Sequence, residues 1–213
     1  MVRKFTEKVS EEQLQKDLEK YRKRAIELGA SDAKVITTDM VILDERVRAK
    51  CMFPKCRRYG TNMNCPPYTP DLDQIQKIVE NYEYAILFKL DVPSEDIAGP
   101  LARESRAYRP YSLKRAEIVA KLEAEAFHDG YHLALGFGGG SCKGYYCPDV
   151  ECDALKPGQA CRAPLKARAA MEAVGMDVYT MATKVGWNIY PIGETTPPSE
   201  VPCGLFLGIV LIY

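Results

Sequence analysis

Seven of the eight cysteines in this chain fall into two tight groups. Cys51, Cys56 and Cys65 lie within CMFPKCRRYGTNMNCPP, and Cys142, Cys147, Cys152 and Cys161 lie within SCKGYYCPDVECDALKPGQAC. Cys203 stands apart near the C-terminus. Soft thiolate donors select iron–sulfur centres or zinc over hard cations. If Cys203 folds back onto the first group, the eight thiols make two four-ligand sites. The two loops that carry them must then be shaped around a metal.

Disulfides are the competing use of clustered thiols, and the compartment argues against them. The segment MVRKFTEKVSEEQLQKDLEK lacks the apolar core of an export signal. The longest apolar run, from Leu205 to Tyr213, is too short to cross a bilayer and reads as a buried strand. A cytoplasmic location is therefore expected, with no membrane partner. In a reducing compartment the same cysteine pattern points to metal or catalysis. The 29 basic and 29 acidic residues cancel, so no global field draws the chain to nucleic acid.

Helical and strand-like stretches alternate along the chain. Ser10 to Leu28 carries Leu14, Leu18, Tyr21, Ala25 and Leu28 on one helical face, with Ser10 as its cap and Gly29 as its stop. AKVITTDMVILD supplies a β-branched run and a second apolar stretch leading into the first cysteine group. Asp71 to Asn81 reads as a short helix and YAILFKLDV as a buried strand. Pro93 to Pro110 reads as a loop with at most a helical turn, the best candidate for a mobile segment.

Ser112 to Asp129 reads as a helix with Ile118, Leu122 and Phe127 on its apolar side, closed by Gly130, and YHLALGF as the next strand. After the second cysteine group, Ala163 to Val174 and MDVYTMATKVG read as helices, and NIYPI and GLFLGIVLIY as strands. The expectation is an α/β fold in which a single central sheet is flanked by helices, with two cysteine-rich metal-binding loops at element ends. Residues 1–213 are expected to form one domain.

Glycine and proline make the second loop able to wrap a cluster. Gly138, Gly139 and Gly140 lead into Cys142, Pro148 follows Cys147, and Pro157 and Gly158 turn the chain before Cys161. Cys65 is followed by Pro66 and Pro67, as the last cysteine of a bacterial ferredoxin run is followed by proline. Zinc is the alternative. Its structural sites favour spacings of two to four residues and often recruit histidine, but His128 and His132 lie outside both groups. All-cysteine, glycine-rich loops tilt the choice toward iron–sulfur.

Lys55, Arg57 and Arg58 flank the first group, and Lys143, Arg162 and Lys166 the second; such cations lower thiol pKa and offset an anionic cluster. Cys203, between Pro202 and Gly204, is either a remote fourth ligand or a small buried residue. In the second case the first cluster has an open iron. GFGGGS lacks the third glycine of a nucleotide-binding loop, and its glycines are expected to let backbone N–H groups approach cluster sulfurs. Tyr145 and Tyr146 are placed to shield that cluster.

The stretch Cys51-x4-Cys56-x2-Tyr59-Gly60-x4-Cys65-Pro66-Pro67 resembles the hallmark of domain-of-unknown-function family 2284, cysteine-rich prokaryotic proteins described as predicted metal-binding. CRAPLKARAAMEAVGMDVY, from Cys161 to Tyr179, is similar to that family's second block, and the likeness runs from about Ala33 to Ile192. The second cysteine group departs from the tighter spacing of other members, with gaps of four, four and eight residues. The resemblance implies metal binding and no particular reaction.

Taken together, the residues lead to two 4Fe-4S clusters. Cys142, Cys147, Cys152 and Cys161 hold one, and Cys51, Cys56, Cys65 and Cys203 the other, passing electrons to or from a redox partner protein that docks on the basic rims. Two alternatives stay open. One is an enzyme whose first cluster has an open iron and takes a small-molecule substrate beneath the Pro93–Pro110 segment. The other is a protein stapled by structural zinc. Electron donor, acceptor and oligomeric state are not legible in the chain.

Overall fold

Residues 3–6, 8–193 and 195–213 are described by the structure, a computed structural model. Helix α1, Glu11–Glu27, begins where Ser10 accepts the Gln13 N–H at 3.3 Å. Its buried stripe is Leu14, Leu18, Tyr21 and Ala25, the spacing that keeps one helical face on a core. The chain leaves it through Gly29, whose φ of 103° is a conformation that side chains with a Cβ rarely adopt. The other helices among the described residues are α2 (Glu45–Met52), α3 (Leu72–Val79), α4 (Ser94–Ile97), α5 (Gly99–Ser105), α6 (Arg109–His128), α7 (Cys142–Tyr145) and α8 (Val178–Lys184).

Four strands, β1 (Asp32–Thr37), β2 (Tyr84–Val92), β3 (Leu135–Phe137) and β4 (Gly204–Leu211), form one sheet in the order β1-β2-β4-β3. Every pairing is antiparallel. The fold is α/β, with a single central sheet flanked by helices. β2 is interior, and its period of two sends Ile86, Phe88 and Leu90 to one face and Ala85 and Leu87 to the other. The first set packs with Leu14, Leu18 and Tyr21 of α1 and Ile118, Val119 and Leu122 of α6. The second packs with Ile75 and Val79 of α3, Met181 of α8, and Met171, Val174 and Met176.

Packing across β4 is close enough to demand glycine. A Cβ on Gly208 would lie 2.4 Å from Phe88 Cζ and 3.1 Å from Val119 Cγ2, and Phe88 is fully buried. Gly208→Ala is therefore expected to destabilise the protein by about 1–3 kcal/mol through overpacking. A lowered urea midpoint at unchanged slope would show it.

Several expected elements are replaced by others. Pro93–Pro110 is no loop: it contains α4, α5 and the start of α6. Phe127 is 57% exposed, because nine residues from Ile118 turn it about 180° round the helix. The strand in YHLALGF shrinks to three residues.

Ala163–Val174 is not a helix, since its backbone is used elsewhere. Gly138 N–H donates to Ala169 at 2.9 Å and Met171 N–H to Gly138 at 2.9 Å, so only a short 3₁₀ turn at Glu172–Val174 remains. NIYPI forms no strand; Pro191 has no N–H to give a ladder. α2 was not anticipated, and it carries Cys51 in its last turn. No helix among the described residues is long and apolar enough to cross a membrane.

Candidate metal centre

The first cysteine group is built around the end of α2. Asp44 caps that helix by accepting the Arg46 N–H at 2.7 Å. Cys56 N–H donates to the Cys51 carbonyl at 3.1 Å and Tyr59 N–H to the Cys56 carbonyl at 2.9 Å. Gly60, at φ 71°, donates to the Pro66 carbonyl at 2.7 Å and so ties the middle of the loop to its end. Arg48 bonds to the carbonyl of Pro70 and, at 3.4 Å, to that of Ala173; the Thr69 hydroxyl donates to the same Ala173 carbonyl at 3.0 Å. The loop is thereby moored to the packed segment under the sheet.

The second group encloses a cavity. Cys142, Cys147, Cys152 and Cys161 all line one space of about 250 Å³, with Asn64 and Tyr146 among the other walls. Cys142, 8% exposed, opens α7. Gly158, at φ 72°, turns the chain so that Cys161 returns to the same space. No disulfide joins any of the eight cysteines.

The first loop also reaches into this cavity. Asn62 Nδ2–H donates to the Ser141 hydroxyl at 3.1 Å, and Asn64 Nδ2–H to Cys142 Sγ at 3.4 Å; the Cys142 thiol faces Asn62 Oδ1 at 3.5 Å. The two cysteine groups are neighbours.

The profile of DUF2284, described as a predicted metal-binding protein, matches residues 34–212. The chain belongs to this family. The match extends past Ile192 and takes in Cys203 and β4. No curated protein and no solved structure matches the chain. In this DUF2284 member the four cysteines of the second group line one cavity.

Electrostatics at the site differ from the expectation of cation-lowered thiols. Burial pushes the Cys142 thiol up to about 11; the Asn64 hydrogen bond opposes this, and the nearby sulfurs of Cys65, Cys152 and Cys161 add to it. Burial likewise raises Cys147, against the pull of Arg162, and raises Cys51, where Cys56, Cys65 and Glu172 add to the effect. Of the flanking cations expected to act on the thiols, Arg162 pairs with Asp153 and still pulls Cys147 down less than burial raises it.

Cys203 lies half-buried at the entrance to β4, and the thiols whose charge acts on Cys51 are Cys56 and Cys65. Among the described residues no set of three or more His, Cys, Asp or Glu side chains is gathered as a single-ion site.

The glycine run serves a purpose different from the one expected. Gly138 pairs with Ala169 and Met171, and a Cβ on Gly139 would lie 2.5 Å from Arg115 Nη1. Arg115, Asn62 and Asn64 were not singled out in the sequence. The signals were present: Arg115 lies on the same face of α6 as buried Ser112, Val119 and Leu122, and both asparagines lie between cysteines. Another cavity, of about 910 Å³, lies elsewhere, with Tyr82, Tyr131 and Tyr213 and no cysteine in its wall.

Proposed function

We propose that the chain is an iron–sulfur protein that exchanges electrons with a partner protein. One four-iron cluster would be held by Cys142, Cys147, Cys152 and Cys161, and a second by Cys51, Cys56 and Cys65 with Cys203 as the remaining thiol. The observation that carries this reading is that all four cysteines of the second group line a single cavity. Its volume of about 250 Å³ is several times the ~30 Å³ that one liquid water occupies, room for an inorganic core larger than a single ion. The donor set is all thiol, with no histidine in the wall, as in ordinary cubane sites.

A bound cubane supplies one-electron storage. The chain's own contribution is to hold the sulfurs and set their surroundings. Asn64 Nδ2–H on Cys142, Ala163 N–H on Cys161 at 3.4 Å and Arg58 N–H on Cys56 at 3.5 Å aim donors at the ligating sulfurs. Such hydrogen bonds stabilise the added negative charge of a reduced cluster and raise its potential. Tyr145, 5% exposed, and Tyr146 screen the Cys142 side from water. The contacts of Asn62 and Asn64 with the Ser141–Cys142 corner support a short relay between the two groups.

Protein purified without oxygen is expected to contain about eight iron and eight acid-labile sulfide per chain, with a brown colour that reductant bleaches. Colourless protein with stoichiometric zinc and no sulfide would sink the proposal. A second reading is an enzyme with an open iron at the first group, in which Cys203, far along the chain from Cys65, is no ligand. Cys203→Ala decides between them. Loss of about four iron makes Cys203 a ligand, and unchanged iron makes the first cluster open-sited.

A further inference from the structure

A cleft of about 710 Å³ opens beside the first cysteine group, walled by the start of β4, residues of α4 to α6, and Gly140. Sites for metabolite-sized molecules span ~300–1,000 Å³. Arg115 lies in its wall and is only 5% exposed. Its guanidinium stacks 4.7 Å from the Phe206 ring centre and donates Nη2–H to the Gly139 carbonyl, while its Nε–H finds no acceptor. No carboxylate among the described residues forms an ion pair with it. The charge of Glu172 acts on it from a distance, yet its buried Nε–H stays without an acceptor, which disfavours the folded state.

Two further observations single out the same cleft. Arg57, the residue after Cys56, is exposed and lines it. Arg103 lines it as well, and Glu172 is the one carboxylate in the wall, so the charge of the cleft is net positive. Val178, Leu205, Phe206 and Leu207 supply the apolar part of the wall. Net positive charge beside hydrocarbon describes the complement of an organic anion.

We propose that this cleft binds a small organic carboxylate, with Arg115 as the buried anchor of the carboxylate and the apolar wall covering the carbon skeleton. The planar guanidinium offers parallel N–H donors that match a carboxylate edge. The Nε–H of Arg115 is the donor left over for it. Arg57 adds attraction at the exposed side. Arg57 follows Cys56 in the chain, which ties one wall of the cleft to the first cysteine loop without requiring any particular metal there.

The test is calorimetric titration of the intact purified protein with phenylacetate, isovalerate and succinate, with phenylacetamide and inorganic phosphate as controls. At least one acid is expected to bind saturably, more tightly than phosphate, and the neutral amide not at all. Arg115→Met is expected to lose affinity at least about thirtyfold, with its thermal midpoint measured on the same sample to show that it is folded. Arg57→Ala, at an exposed position, is expected to weaken binding severalfold with an unchanged midpoint.

The proposal is overturned if no acid binds up to millimolar concentration. It is equally overturned if the amide or phosphate binds as well as the best acid, or if Arg57→Ala and a folded Arg115→Met both bind like the parent. Iron content is measured on the same samples, and the titration outcome does not depend on it, so the metal reading and this one fail separately.

Discussion

Cys142→Ala is expected to reduce bound iron and sulfide by about half and to leave the remaining centre in place. Cys142 is the most enclosed of the four thiols around the second cavity and the one that the other loop touches. Removing its sulfur leaves three ligands for a four-ligand group and opens the wall where Asn62 and Asn64 meet α7. Because metal binding is also folding energy for a thiolate loop, the segment from Cys142 to Cys161 should then become sensitive to proteolysis. The spectrum of the reduced variant should show one paramagnetic centre where the parent shows two interacting ones. Full iron content in Cys142→Ala would remove the second centre from the proposal.

Asp17→Ala is expected to lower stability by about 2–4 kcal/mol, from the loss of acceptors for buried donors. At about 2–4 °C per kcal/mol for a chain of this size, the thermal midpoint falls by about 5–15 °C. Asp17 is 2% exposed. Its carboxylate accepts from Arg3 at 2.5 and 3.0 Å, from Gln13 at 3.0 Å and from the Tyr131 hydroxyl at 2.9 Å. It thus joins α1 to the chain beyond α6. Tyr131 is 4% exposed and would be left without an acceptor.

The pH dependence of this effect has a definite sign. Burial alone would raise the Asp17 pKa, but the hydrogen bonds from Arg3 and Tyr131 outweigh it and hold the carboxyl below its ordinary value. A depressed carboxyl stabilises the fold fully above its unfolded pKa of ~3.9 and loses that contribution as pH falls through the lower folded value. Parent and variant should therefore differ most near neutrality and converge in strong acid. A gap that stayed constant down to pH ~2 would show that the charged hydrogen bonds contribute nothing.

Local patterns were legible where one chain segment decides its own conformation. α1, α3, α6 and α8 follow from apolar spacing and caps, as with Ser10 on Gln13 and Asp71 on Gln74. β2 and β4 follow from runs buried on both faces. The misreadings fall where distant backbone intervened. Ala163–Val174 has helical composition, yet its N–H and C=O groups pair with Gly138, and Asp177 N–H with Ile42. No window along the chain contains both partners of such a bond.

The cysteine grouping, and with it the choice of thiolate chemistry, was determined by the sequence, because ligand type is a property of the side chain wherever it folds. Tertiary structure alone decided that Cys142, Cys147, Cys152 and Cys161 share one cavity, that Asn62 and Asn64 from the other loop reach it, and that burial outweighs the Asn64 hydrogen bond at Cys142 and Arg162 at Cys147. It also decided that Arg115 is enclosed with its Nε–H lacking an acceptor. These are matters of distance and solvent exclusion between residues far apart in the chain, and only packing around the sheet sets them.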